Sequence, residues 1–144
     1  INRAINNDPK LDGVLSVDHL GYSGLDWEVV PFLERIIIDD VCYSHYFVTG
    51  VAGRPAVSAQ AQLTKQHMSC IAGHQQGLQI ATGFKGDGTQ LTSIIAGSCY
   101  EHDEDYMGPQ GNKHWRGCLM LNDVKNGGFD VMPLSLEYLN KRAR

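Results

Sequence analysis

Met68–Gly77, MSCIAGHQQG, is the stretch whose reading decides the fold of this chain. Cys70, Ile71 and Ala72 in succession make a buried strand, too short and too interrupted by glycine to be a helix. The strand ends at Gly73 and His74, so a histidine is delivered where the chain turns. Gln75 and Gln76 follow it with no structural demand for either. In an open α/β sheet the crevice beyond the strand ends is where ligands bind.

Outward from this stretch the pattern stays legible. Upstream, AVSAQAQLTKQ (56–66) is rich in helix formers, with small residues on one side. It follows the glycine-marked loop TGVAGRP (49–55). Before that loop, ERIIIDDVCYSHYFV (34–48) reads as two strands around Asp39–Asp40, both rich in β-branched and aromatic residues. His45 lies near the end of the second. Downstream, LQIATGF (78–84), the turn KGDG and TQLTSIIAGSCY (89–100) form a hairpin; RGCLMLNDV (116–124), KNGG and FDVMPLSL (129–136) form another. EYLNKRAR closes the chain as a polar, basic tail. At the other end, Asp8–Pro9 is a helix start. It predicts a helix from about Pro9 to Leu20, with Leu11, Val14, Leu15 and Leu20 on one face, after which GYSGLDWEVVPF (21–32) returns in extended form. The expected fold is α/β in a single domain over residues 1–144, helices early and antiparallel hairpins late.

With 144 residues, 42% of them hydrophobic, the chain can bury a sizeable core. Its net charge of −4 argues against a general electrostatic grip on nucleic-acid backbones. It leaves open an enzyme that meets phosphate through metal ions, which bring their own positive charge. No run approaches the ~20 apolar residues of a membrane span, and INRAINNDPK lacks the apolar centre of a signal peptide. Cys42, Cys70, Cys99 and Cys118 form no CxxC pair, which speaks against a zinc ribbon. They read as reduced, mostly buried thiols of a cytoplasmic protein. The opening INRA, without methionine, reads like the middle of a helix and suggests a fragment, a processed product or one piece of a larger polypeptide.

His45 and His74, both at strand ends beside glycine, could share a metal ion, because neutral imidazole suits manganese, iron, nickel and zinc. The competing reading of each is a hydrogen-bonded structural histidine. YEHDEDY (100–106) packs four carboxylates and His102 into seven residues, and such a charge run is usually a solvated loop. With GNKHWRG it suggests a nuclease finger built on His102, Asn112 and His114. That motif needs a following helix, whereas CLMLNDV reads as a strand. Trp115 anchors that strand, and Arg116 either pairs with a local carboxylate or faces a substrate phosphate. His67 and His114 are expected to be structural or at the surface, and His19 sits on a predicted helix with no partner.

The order VCYSHYF, glycine loop, helix, MSCIAGHQQG, hairpin, AGSCYEHDEDY, HWRG, final hairpin resembles the carboxy-terminal half of calcineurin-like metallophosphoesterases. The likeness is greatest to phage and bacterial members described as DNA-repair-exonuclease-like, and it runs from Asp8 to Leu139. The resemblance implies a four-layer αββα sandwich and a hydrolase of phosphodiesterase or nuclease type. Two divalent ions, manganese preferred and magnesium, iron, nickel or zinc compatible, would activate a water against a phosphate ester or nucleic acid. It implies a bacterial cytoplasm or a phage-infected bacterium as the setting. His45 falls at the family's metal-binding histidine ahead of a glycine loop, and His74 at the first histidine of Gly-His-x-His. Gln76 replaces the second histidine, a departure that implies one metal site either altered towards oxygen ligation, the favoured reading, or degraded. The family's Asp-x-His, Gly-Asp and Gly-Asn-His-Glu motifs are absent. The resemblance therefore implies the carboxy-terminal portion of a larger phosphoesterase domain, inactive alone and completed upstream or by another chain. The alternative is a non-catalytic remnant or split half acting as an interaction domain. The exposed edges and apolar face of such a half call for a partner or a homo-oligomer.

Overall fold

The computed structural model describes residues 2–49 and 51–143. The chain divides into two compact units, Ile1–Pro31 and Phe32–Arg144. Every candidate ligand lies in the second.

In the first unit a short helix, α1 (Asn2–Asn7), precedes Asp8, whose carboxylate caps the next turn by accepting the Lys10 N–H at 3.1 Å. The helix expected over Pro9–Leu20 does not form. The cap starts only a 3-10 turn, Pro9–Leu11, and a second, Val17–Leu20, follows after Gly13 at φ 75°. Val14 and Leu20, on the apolar stripe, are 62% and 50% exposed. With so little burial to reward a continuous helix, left-handed glycines at 13 and 21 end each turn. The segment expected to be extended opens with another 3-10 turn, Tyr22–Leu25, with Trp27 stacked on Tyr22. His19 has a partner after all: its Nδ1 accepts the Ser16 N–H at 3.2 Å, completing a capping box.

The second unit is built on a mixed sheet. Strands β1 (Ile36–Ile38) and β2 (Val41–Ser44) pair antiparallel across Asp39 and Asp40, both at positive φ (50° and 62°). That is the two-residue hairpin turn whose twist matches its strands. Helix α2 (Ala59–Gln66) follows the glycine loop, begun by Ser58 and ended by His67 at φ 53°. β3 (Cys70–Ala72) then returns parallel to β2, and β4 (Leu78–Phe84) and β5 (Gln90–Ala96) form the expected hairpin, β5 lying parallel to β3. The sheet order is β1-β2-β3-β5-β4. The three central strands β2, β3 and β5 run the same way, so their carboxyl ends share one edge.

After a single turn, α3 (Gly108–Gly111), the second hairpin pairs β6 (Gly117–Lys125) with β7 (Gly128–Ser135) through Asn126 and Gly127, again both at positive φ. Residues expected as a polar tail instead form α4 (Leu136–Arg142), capped by the Ser135 hydroxyl and carrying a Glu137–Lys141 ion pair. Helices are thus not confined to the early part: α2 is an insertion between parallel strands and α4 ends the chain. The fold class is α/β.

Helix α2 covers one face of the sheet. Its Ala59 and Leu63 are buried, as are Cys42, Cys70 and Ala72 in the strands. Gln62, fully buried, donates from Nε2 to the Ile94 carbonyl (3.2 Å) and the Cys70 carbonyl (3.4 Å), tying helix to sheet. The β6–β7 hairpin spans from the Ser98–Arg116 bridge beside β5 to the β1–β2 turn, where the Gly127 N–H donates to the Asp39 carbonyl at 2.9 Å. Its Phe129 and Asp130 line a cleft with Thr92 of β5.

The Ser58 hydroxyl accepts the Ala61 N–H at 3.1 Å and stands at the start of the helix that positions β3. Ser58→Ala is expected to lower stability by about 1 kcal/mol. In urea the midpoint falls with an unchanged m-value.

Candidate metal centre

Parallel register brings the two candidate histidines together. Ser44 of β2 pairs with Ala72 of β3, so the strands run out side by side, and the Gly73 N–H donates to the His45 carbonyl at 3.1 Å. One residue on, His74 turns back over the end of β2. Its Nδ1 lies 2.9 Å from Nε2 of His45, with ring centroids 4.8 Å apart. One nitrogen donates and the other accepts, so the neutral pair holds a single proton between them. To share an ion the two rings would turn from facing each other to facing one point: at roughly 2.0–2.1 Å from a tetrahedral zinc their nitrogens would stand about 3.3 Å apart.

Phe32 and Tyr46 flank the pair, with ring centroids 5.3 Å from His45 and 4.9 Å from His74 respectively. Burial, and then the neighbouring His74, hold the His45 imidazole below its ordinary pKa. The neutral form is the one that ligates metal. The folded pKa lies below the unfolded one, so the unfolded chain binds more protons between the two. The stability contribution of His45 is complete above the ordinary imidazole value of about 6.5 and is lost as pH falls through the folded value. The melting temperature of the chain is therefore expected to fall from pH 7.5 to pH 5, and less steeply in His45→Gln. Thermal scans across that window test it.

Gln76 sits in the connection from β3 to β4, and its amide nitrogen donates to the Tyr106 hydroxyl at 2.7 Å. Its Oε1, the atom that would ligate, makes no hydrogen bond among the described residues. The Gln76 carbonyl oxygen lies 3.4 Å from the Ser98 hydroxyl oxygen. Gly97, at φ 76°, passes so close beneath that a Cβ there would stand 3.3 Å from the Gln76 carbonyl oxygen and 3.3 Å from Trp115. His45 directly follows β2, and His74 and Ser98 each lie two residues past β3 and β5 after a glycine, so all three central strands deliver polar side chains at their carboxyl ends. The sequence assigns no site role to Ser98, and Tyr106 enters it only within YEHDEDY. The only available signal for Ser98 was its place after a glycine at a strand end, and nothing local marks Tyr106.

The remaining candidates have other partners. Arg116, with a side chain 16% exposed, donates to the Glu101 carbonyl and the Asp103 carboxylate, each at 2.8 Å, and stacks over Tyr100. That is the local-carboxylate anchor of its two readings, and no hydrogen bond links it to the histidine pair. His114 Nδ1 donates to the Gly111 carbonyl at 3.0 Å, which leaves Nε2 to accept the Ser98 hydroxyl at 2.9 Å. His102 pairs with Glu104. The carboxylates of Tyr100–Tyr106 do not converge: among the described residues no three His, Cys, Asp or Glu side chains gather as a metal site. HWRG leads into strand β6, so the nuclease-finger geometry is absent there.

No family model, curated protein or solved structure matches this chain.

The cysteines divide two and two. Cys42 and Cys70 are buried, and burial raises both thiols. Cys99 and Cys118 are exposed, which corrects the expectation of mostly buried thiols. Cys99 lies in an irregular loop and Cys118 on the exposed face of its hairpin strand, where local hydrophobicity is no guide to burial. Among the described residues no helix is long and apolar enough to cross a membrane.

Proposed function

We propose that this chain is the carboxy-terminal portion of a metal-dependent phosphoesterase of phosphodiesterase or nuclease type, related to the calcineurin-like αββα enzymes. The observation that carries this reading is the His45–His74 pair, 2.9 Å apart at the carboxyl ends of adjacent parallel strands. Turned to face one point, the two imidazole nitrogens would hold a divalent ion, manganese first. Gln76 adds an amide oxygen once its side chain swings from Tyr106. When bound, two such ions would supply an activated water and neutralise phosphate charge. The residues of this chain hold and orient: Gly73 locks the two strand ends in register, and Phe32 and Tyr46 wall the imidazoles. Arg116 braces the loop that carries Tyr106, and a direct role on substrate phosphate would require it to leave Asp103.

The described residues gather two ligands, so the carboxylates and the proton donor come from a further segment or another chain. Large exposed apolar residues support such docking: Ile80 and Phe84 on edge strand β4, and Met120 and Met132 facing out of the β6–β7 hairpin. The second reading, a non-catalytic interaction domain, is favoured by Gln76 in place of an imidazole.

The test is manganese-dependent cleavage of bis(p-nitrophenyl) phosphate. The chain alone is expected to give little or no turnover; the protein that includes the carboxylate-bearing segment is expected to give manganese-dependent turnover. A complete protein that binds its partner segment yet never turns over supports the interaction domain instead. Gln76→His should restore an imidazole and tighten nickel or zinc on the order of tenfold, ~1.4 kcal/mol. Competition with a chromophoric chelator measures it, and unchanged affinity removes Gln76 from the ligand set.

A further inference from the structure

The segment between β5 and β6 closes on its own start. Ser98 and Arg116 form a parallel bridge, with the Gly117 N–H donating to the Ser98 carbonyl at 2.9 Å. This clasp sets Cys99 beside Cys118, with their sulfurs 3.3 Å apart and both residues exposed. The pair stands at the neck of the loop that carries Tyr106, the partner of Gln76, and His114, the partner of Ser98. Cys42 and Cys70 are also neighbours, as register partners of β2 and β3, but they are buried beyond the reach of a solution oxidant.

We propose that Cys99 and Cys118 form a reversible intramolecular disulfide that locks this loop at its neck, with a low-molecular-weight disulfide such as oxidised glutathione as the oxidant. One thiolate of the pair attacks a glutathione sulfur. The glutathione S–S bond breaks, and one glutathione leaves as thiolate and takes up the proton released. The second cysteine, deprotonated in turn, attacks the mixed disulfide at the protein sulfur and expels the other glutathione. Two protein thiols are oxidised by two electrons, and one disulfide is reduced to two thiols. A disulfide needs about 2.05 Å between sulfurs, so the pair closes by roughly 1.3 Å from its present 3.3 Å, within reach of side-chain rotation at exposed positions. Donation towards Cys118, and then burial, raise the Cys99 thiol, so its attack on the oxidant should quicken as pH rises. Covalent closure does not depend on the phosphoesterase reading.

The experiment treats the reduced chain with oxidised glutathione and follows intact mass and peptide maps without reductant. The wild type is expected to lose two hydrogens, carry no glutathione and yield one Cys99–Cys118 linked peptide. Cys99→Ser and Cys118→Ser should each stop at a glutathione adduct, with circular dichroism unchanged. Amides of residues 100–117 should exchange several-fold more slowly in the oxidised form. Adducts persisting on both wild-type cysteines, a bond between two chains, or a linked pair with unchanged loop exchange would each overturn the proposal. Metal binding is not a readout, so failure here leaves the phosphoesterase reading untouched.

Discussion

If the proposed phosphoesterase reading holds, His74→Ala is expected to lower manganese-dependent phosphodiester cleavage by the complete protein roughly 10²-fold or more, with most of the loss in kcat. The expectation follows from the pair geometry. Removing His74 takes away one of two imidazoles 2.9 Å apart and leaves His45 a single nitrogen with no partner of its kind. On the proposed reading, metal affinity would fall with it, and so would the stabilisation that bound ions would give to charge developing on the phosphate in the transition state. Folding should survive: His74 is exposed, and the Gly73–His45 backbone bond that joins the strand ends does not involve its side chain. Manganese titration and steady-state kinetics on variant and parent decide the matter. If affinity and turnover are both unchanged, His74 is a turn residue and the metal reading is wrong.

Gly117→Ala is expected to cost about 3 kcal/mol or more of stability and to lower the melting temperature steeply. A Cβ at Gly117 would overlap the Leu134 carbonyl oxygen and stand 2.6–2.7 Å from the Trp115 ring. Neither neighbour can give way cheaply. Leu134 is held in the β6–β7 ladder, and Trp115 is packed against Gly97 beneath Gln76. The strain would therefore spread into the Ser98–Arg116 clasp and towards the candidate site. Gly86→Ala is the matched control: nothing lies within 4 Å of a Cβ there, and its backbone is outside the left-handed region. That change is expected to be neutral or stabilising by up to about 1 kcal/mol. Urea unfolding of both variants measures the contrast, and equal midpoints would mean that the hairpin relaxes around the extra carbon.

Much of the second unit was legible because its signals are local. Asp39–Asp40 and Asn126–Gly127 tolerate the positive φ that a tight hairpin needs, and the apolar, β-branched arms on either side have nowhere else to go. Ser58 before a run of helix formers marks α2 for the same kind of reason. Local signals also misled. Asp8–Pro9 is a sound cap, yet a cap cannot sustain a helix whose apolar stripe finds little to bury against, and Gly13 ends it. Leu136–Arg142 lacked a strong apolar pattern and still forms α4, because Ser135 caps it and Glu137 pairs with Lys141 one turn on.

The sequence by itself determined the hairpins, the helix between β2 and β3, and the presence of a histidine at each of two strand ends. It could not determine that those strands are neighbours. Parallel strands joined by a crossover carry no local code for adjacency or register, since the contacts that choose them are made across the sheet. Only the tertiary structure decided that His45 and His74 share a proton, that Gln76 reaches Tyr106 thirty residues on, and that Cys99 meets Cys118. Each of these contacts joins side chains on separate elements, and only the packing of those elements brings them within a bond's length.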